Sequence, residues 1–355
     1  MSDDTMTEDS REHILCVDPE DLAVWFQEQG EPSYRLDQVL NWVYDKRVTS
    51  FEEMTSLSKE LREKLDSTFR IGGTNVINEL RSERTTTEKL VIQLPDGAQV
   101  ESVRMEDEGR PSFCISSQVG CQVGCRFCAT GQMGFVRDLE AWEILGQVVE
   151  LAKRQDGLGN VVFMGMGEPL LNLDNVLEAL DSLTDPCRFG LGTRRITVST
   201  VGIPEGIRRL AHATARPRLA LSLNSPLEQE RDELIPHTRR FELRDVLEAC
   251  REYRDRTGRR ISLEYVLIAG VNTGTPRAQR LVQIAKNLEA RVNLIALNPV
   301  QGIGYESPER EEVEEFREVM EDENVRVTQR YKRGRDIAAG CGQLATKKSE
   351  MGEGE

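Results

Sequence analysis

The chain has 355 residues, with 61 acidic against 46 basic side chains, a formal charge of -15 and 38% hydrophobic residues. This suits one large domain with a smaller appendage and apolar surface enough for a core. It excludes binding of nucleic acid through a generally positive surface, because phosphate attraction needs net positive charge at the contact. The acidic N-terminus and the lack of an apolar run long enough to cross a bilayer predict a cytoplasmic location. Eight cysteines, three of them in one loop, point to metal or redox chemistry in a reducing compartment.

Residues 1–16 are polar and acidic and are predicted to be a disordered tail. Over 17–72 the pattern is helical. Leu36, Val39, Leu40 and Val43 fall on one face, Ser50-Phe-Glu-Glu53 reads as a capping-box start, and Leu57, Leu61 and Leu65 recur every four residues. A small helical domain is expected there. Over 73–110 the pattern turns to β, with apolar runs on both sides of Pro95-Asp-Gly97, which predicts a hairpin bridge into the core. Over 111–345 short strands at 113–116, 161–164, 196–199, 219–223, 261–268 and 292–297 alternate with helices near 139–154, 173–184, 203–213, 242–255 and 276–287. Strict alternation implies parallel strands joined by right-handed crossovers. Six units are too few for an eight-fold barrel, so the expected fold is α/β, a partial (β/α)6 barrel with its functional groups at the C-terminal ends of the strands. Residues 346–355 read as a polar tail.

The chemistry centres on Cys121-Gln-Val-Gly-Cys125-Arg-Phe-Cys128. Three thiolates at this spacing can hold three irons of a four-iron cluster and leave the fourth open; zinc binding or buried free thiols are the plainer readings. Gly165-Met-Gly-Glu168-Pro169 ends a strand, where small residues admit a ligand and Glu168 could accept hydrogen bonds from an ammonium. Ser199, Ser222, Asn224 and Asn298 are uncharged strand-end groups suited to a carboxylate, ribose or adenine. Cys341, between glycines, has the mobile backbone of a reactive carrier, and Cys114 precedes the cluster loop. Cys16, Cys187 and Cys250 read as small buried hydrophobes, and His13, His212 and His237 show no ligand spacing. Arg239-Arg240, Arg259-Arg260 and Arg330-Tyr-Lys-Arg333-Gly-Arg335 are candidate basic faces for nucleic acid, or simply solvated surface.

The segment Ser112-Phe-Cys-Ile-Ser-Ser-Gln-Val-Gly-Cys-Gln-Val-Gly-Cys-Arg-Phe-Cys-Ala-Thr-Gly, with Met164-Gly-Met-Gly-Glu-Pro-Leu-Leu-Asn172, Arg231-Asp-Glu-Leu-Ile-Pro236 and Asp336-Ile-Ala-Ala-Gly-Cys-Gly-Gln-Leu344, closely resembles the RlmN/Cfr family of radical S-adenosylmethionine RNA methyltransferases. The resemblance runs from about residue 34 to 345. It implies one [4Fe-4S] cluster on Cys121, Cys125 and Cys128. Two S-adenosylmethionine molecules per turnover are implied, contacted by Gly167, Glu168, Ser199, Ser222, Leu223, Asn224 and Asn298. It makes Cys341 the methyl carrier, Glu101 the proton acceptor, and Cys114 the thiol that releases product and leaves a disulfide. The partners it implies are 23S ribosomal RNA, transfer RNA and an electron donor such as flavodoxin or ferredoxin, with the enzyme a monomer. The expected activity is methylation of adenine at C2; methylation at C8 is the near alternative, and an iron-sulfur electron carrier or a zinc-stabilised RNA-binding module are alternatives of other classes.

Overall fold

The computed structural model describes residues 10–107, 109–155, 157–329 and 334–345. Order begins earlier than predicted: Glu12–His13 (β1) pairs in parallel with Phe69–Arg70 (β2), and Ile14, Leu15 and Val17 are buried. The expectation of disorder is therefore corrected for residues 10–16, where burial of two adjacent apolar side chains outweighs the acidic composition. Residues 1–9 and 346–355 of the predicted tails lie outside the described residues. In the helical domain, α1 (Pro19–Glu28) starts at Asp18, whose carboxylate accepts from the Glu20 N–H at 2.8 Å. The next helix, α2 (Tyr34–Leu40), runs into a single π turn at 41–45, and together they bury Val39 and Val43. Ser50 opens only a 3-10 turn. The leucine repeat belongs to α3 (Lys59–Thr68), capped by the Ser58 hydroxyl accepting from the Leu61 N–H at 3.2 Å.

His13, which the sequence left without a role, ties this domain to the core. Its Nε2 lies 3.0 Å from the Gly72 carbonyl, its Nδ1 accepts from the Leu15 N–H, and the ring stacks on Trp142 at 4.8 Å. Burial lowers its pKa to about 4 from 6.5. Between those values the unfolded chain binds a proton that the native state refuses, so stability is lost as pH falls through that window. The loss should total roughly 3 kcal/mol. Denaturant melts at about pH 7 and about pH 4.5 should show this loss in the wild type and a flattened dependence in His13→Gln.

The predicted hairpin bridge proves to be part of the main sheet. β3 (Asn75–Arg81), β4 (Thr87–Gln93), β5 (Gln99–Asp107) and β6 (Arg110–Ile115) run antiparallel in sequence. A small hairpin of β7 (Gln118–Gly120) and β8 (Phe135–Asp138) brackets the helix α4 (Ala129–Met133). The wholly buried α5 (Ala141–Ala152), closed by a Glu140/Glu143 capping box, then leads into β9 (Asn160–Phe163), parallel to β6. From there the alternation follows the prediction closely: α6 (Leu173–Thr184), β10 (Ile196–Thr200), α7 (Pro204–Ala211), β11 (Arg218–Ser222), then α8 (Glu228–Leu234), a short helix that was not predicted, and α9 (Leu243–Thr257). It ends with β12 (Ser262–Leu267), α10 (Thr275–Leu288), β13 (Arg291–Ala296), α11 (Arg310–Asp322) and β14 (Val327–Gln329).

One ten-stranded sheet results, in the order β14-β13-β12-β11-β10-β9-β6-β5-β4-β3. It is open. Its parallel part is the partial barrel expected, with β14 as a seventh parallel strand that was not predicted; it is three residues long and mostly exposed, so it carries no apolar run to read. The parallel strands are held by side chains such as Val198, Leu219, Leu221, Leu263 and Val292, all fully buried. Among the described residues no helix is long and apolar enough to cross a membrane.

Candidate active site

The three clustered cysteines lie on the loop between β7 and α4. That loop is fastened by backbone bonds from the Cys121 N–H to the Gly134 carbonyl, 2.8 Å, and from the Arg126 N–H to the Leu234 carbonyl, 2.9 Å. Cys121, Cys125 and Cys128 share one cavity with Gly167, Glu168, Ser199, Ser222, Asn224 and Cys341. No three His, Cys, Asp or Glu side chains among the described residues converge to hold a single metal ion. All three cysteines line the cavity, and a cluster needs one cysteine for each iron it is held by. Burial pushes all three thiols up, Cys121 to about 12, and the charges of Cys128 and Cys121 add to the effect on Cys125. Such a donor set keeps its thiolate form only against positive charge, which an iron cluster supplies.

Also lining the cavity, Glu168 is buried five residues beyond β9, where it caps the turn Pro169–Leu171, and it accepts from the Leu170 N–H at 3.2 Å and the Val201 N–H at 2.9 Å. Burial raises its pKa to about 7. An ammonium ligand would therefore find a carboxylate that gains by ionising beside it. The approach depends on Gly167: its φ is +100°, and an added Cβ would stand 2.6 Å from Gln118. The Ser199 and Ser222 hydroxyls, on neighbouring strands, lie 3.2 Å apart. Asn224 turns the chain with φ 57°, its side-chain oxygen accepting from the Val266 N–H at 2.9 Å. Leu223 and Asn298 do not line the cavity. Leu223 is core, and its carbonyl accepts from buried Arg231 at 3.2 Å. Asn298 acts from behind, donating from Nδ2 to the Cys341 carbonyl at 3.2 Å and accepting from Arg335 Nε at 2.7 Å.

The Cys341 loop is exposed at the thiol and anchored on all sides. The Gly342 carbonyl accepts from the Ala129 N–H at 2.7 Å and the Leu344 carbonyl from the Thr130 hydroxyl at 2.6 Å, so the loop is bound to the helix that follows Cys128. At Gly340 a Cβ would meet Asn298 Nδ2 at 2.6 Å, so a larger residue there would have to displace the Asn298 amide. Glu101 accepts from the Ala345 N–H at 3.0 Å. In register, Val103 faces both Lys89 and Cys114, and Glu101 is two residues from Val103. Side chains alternate along a strand, so Lys89, Glu101 and Cys114 share one face of the sheet. None of the eight cysteines is disulfide-bonded, so the implied Cys114–Cys341 disulfide is not present in this structure. Cys187 is exposed, which corrects its reading as a buried hydrophobe; Cys250 is buried as expected.

Sequence reasoning missed four polar residues because each sits in a stretch that reads as core or as a charged surface. Gln147, inside apolar α5, accepts from the Ser102 hydroxyl at 2.7 Å and the Ser116 N–H at 2.8 Å and donates to the Ser116 carbonyl at 3.0 Å. Ser116 in turn bonds the Glu101 carbonyl and the Met166 N–H, so Gln147 sets the strand ends on both sides of the site. Gln147→Leu should cost about 3 kcal/mol by leaving these groups unpaired, measurable by urea unfolding. Glu264 is 5% exposed and lines the cavity; Oε1 accepts from Ser262 and Asn293, while Oε2 has no hydrogen-bond partner among the described residues. An acid inside the apolar run 261–268 was the signal available for it. The others are Arg231 and Lys89. Of the basic candidates, Arg239, Arg240 and Arg260 are exposed, whereas Arg259 is engaged with the Arg216 carbonyl and Thr193. Arg335 is committed to Asn298 and the Leu297 carbonyl, so it braces the Cys341 loop rather than standing free for RNA. Arg330 through Arg333 lie outside the described residues.

A partial α/β barrel that gathers three cysteines of a CxxxCxxC loop and a strand-end Gly-Glu pair around one cavity defines a radical S-adenosylmethionine enzyme. The radical SAM superfamily model matches residues 115–281, and the model of the "Ribosomal RNA large subunit methyltransferase N-terminal domain" matches residues 13–71. The chain is 43% identical over 337 residues to a "Probable dual-specificity RNA methyltransferase RlmN" of Thermosipho melanesiensis, covering 95% of this chain and 99% of that protein. It is 40% identical to the protein of the same description from Rhodopirellula baltica, covering 99% and 95%. The crystal structure of a radical SAM methyltransferase from Sphaerobacter thermophilus superposes with a TM-score of 0.89 at 37% identity, covering 94% of this chain and 99% of that one. The chain belongs to the RlmN family of radical SAM RNA methyltransferases.

Proposed function

We propose that this enzyme methylates C2 of an adenine in 23S ribosomal RNA, and of transfer RNA, through a methyl group carried on Cys341. The observation that carries the reading is the meeting of the exposed Cys341, set between two glycines on an anchored loop, with Cys121, Cys125, Cys128 and Glu168 in one cavity. Adenine C2 is an electron-poor carbon that cannot attack a sulfonium methyl directly. The [4Fe-4S] cluster, fed by a flavodoxin or ferredoxin, and S-adenosylmethionine, consumed twice per turnover, would supply the one-electron chemistry that this carbon requires.

The chain's own residues do the rest. Glu168 receives the cofactor ammonium, and Ser199, Ser222 and Asn224 offer hydrogen bonds to its remaining polar groups, while Gly167 admits it and Leu223 and Asn298 hold the surrounding backbone. Cys341, as thiolate, is the nucleophile that accepts a methyl group and presents it on a loop braced by Asn298 and Arg335. Glu101 takes the C2 proton of the covalent RNA adduct, the electron pair remaining with the ring. Cys114 then attacks the Cys341 sulfur: an S–S bond forms, the C–S bond breaks with its electron pair on the departing carbon, and a proton completes the methyl group. The enzyme acts in the cytoplasm as a monomer. Incubation with methyl-deuterated cofactor, followed by nuclease digestion and mass spectrometry, should give labelled 2-methyladenosine from both RNAs; labelled 8-methyladenosine, or no labelled base, would overturn the reading.

A further inference from the structure

Lys89 and Glu101 are the ends of a device that encloses the carrier loop. Lys89 is 5% exposed and Glu101 3%. The ammonium lies 3.0 Å from one Glu101 oxygen and donates to the Ala338 carbonyl at 3.2 Å, while the other Glu101 oxygen accepts from the Ala345 N–H at 3.0 Å. Ala338 and Ala345 flank Cys341 on its two sides. A single ion pair therefore grips both ends of the eight-residue segment that carries the thiol. We propose that Lys89 and Glu101 form a proton-sensitive clasp: the ionised pair holds the Cys341 loop closed, and a proton arriving on Glu101 loosens it. Lys89 is thus a positioning residue for the proposed reaction. The inference rests on the reading of Glu101 as proton acceptor, and extends it to what happens after the proton arrives.

The physical basis is the difference between a charge-assisted and a neutral hydrogen bond. An ionised carboxylate holds a backbone N–H roughly twice as strongly as a neutral acceptor, and protonation also cancels the attraction for Lys89. Burial raises the proton affinity of Glu101 and the Lys89 charge opposes it. Among the described residues Lys89 is the charged side chain that acts on this carboxyl, and the titratable thiol of Cys114 shares its sheet face; the Glu101 backbone meets uncharged groups, its N–H lying 3.3 Å from the Met166 sulfur and its carbonyl accepting from the Ser116 hydroxyl. Loosening at that moment would free the Cys341 loop for the proposed release step, in which the Cys341 sulfur must meet Cys114, a residue on the same sheet face as Glu101.

The test is hydrogen exchange of the 334–345 peptide in the full, cluster-loaded protein, corrected for intrinsic rates, between about pH 4 and about pH 8. Wild type should lose protection on acidification, with a midpoint that Lys89→Met moves upward by about one pH unit or more and Lys89→Arg leaves near its place. Glu101→Gln, and the Lys89→Met/Glu101→Gln double variant in which no buried charge is left unpaired, should show protection independent of pH. A pH-independent wild type, or a Lys89→Met midpoint equal to the wild-type one, would overturn the clasp. RNA methylation by Glu101→Gln judges the underlying reading separately: wild-type turnover there would remove Glu101 as the proton acceptor, whereas lost turnover with an unmoved Lys89→Met midpoint would sink the clasp alone.

Discussion

Cys114→Ala protein is expected to carry its RNA covalently, joined through Cys341, because that substitution spares every step up to the adduct and deletes only the thiol that breaks it. Cys114 lies on β6, opposite Val103 and on the face that bears Glu101, and is not among the residues lining the cavity of the cluster cysteines. Its loss should therefore disturb neither the cluster nor the loading of Cys341. The cost in stability is small, since alanine fills most of a cysteine's place. On a denaturing gel the variant should run with a nuclease-sensitive shift, and multiple turnover should fall by orders of magnitude. Cys341→Ala should fail differently, giving neither methylated protein nor methylated RNA and no shift. If both were packing residues, the two variants would lose stability and activity in parallel without an adduct. A Cys114→Ala enzyme that turns over at the wild-type rate would rule out the proposed release step.

The second large effect concerns the cluster. Anaerobically purified wild type should be brown, and the Cys121→Ala/Cys125→Ala/Cys128→Ala variant should lose its iron and visible absorbance entirely. The loss should be complete because these three are the residues at the cavity that can supply thiolates from one loop, and Cys341, the other cysteine there, offers a single thiol on a separate segment whose Gly342 and Leu344 carbonyls are bonded to Ala129 and Thr130. The fold should survive, since the loop is fastened by backbone bonds that alanine keeps, and far-ultraviolet circular dichroism would report that. Iron retained by the triple variant would remove the assignment. A colourless wild type that binds one zinc would do so as well.

Much of this molecule was legible in its sequence, for reasons that are local. Parallel strands buried on both faces must be short continuous apolar runs, and their crossover helices must show a 3.6 period, so the β9 to β13 region could be placed to within a few residues. The CxxxCxxC spacing was a readable signal for the proposed cluster site, and the placement of Glu168 just beyond a strand follows from the alternation itself. Where local signals were weak the reading failed: β14 is too short and too exposed to show a pattern, and the two apolar residues at 14 and 15 could not be known to find a buried place against β2 and the helical domain.

Tertiary structure alone decided which polar residues serve the site. Nothing in the sequence near Lys89 says that a strand lysine will be buried, because its justification is a carboxylate twelve residues away on the next strand and a carbonyl at Ala338, 249 residues along the chain. Gln147 reads as an ordinary helix residue until Ser102 and Ser116 are brought to its amide. Arg335 reads as part of a basic run until Asn298 and the Leu297 carbonyl take its guanidinium. Hydrogen-bond partners of buried polar groups are set by the approach of distant strands and loops, and the pressure to satisfy them acts only once the fold has removed water. The sequence by itself thus determined where the strands lie and which residues are candidates for the chemistry, and the fold determined which of its charges are spent on holding the Cys341 loop in place.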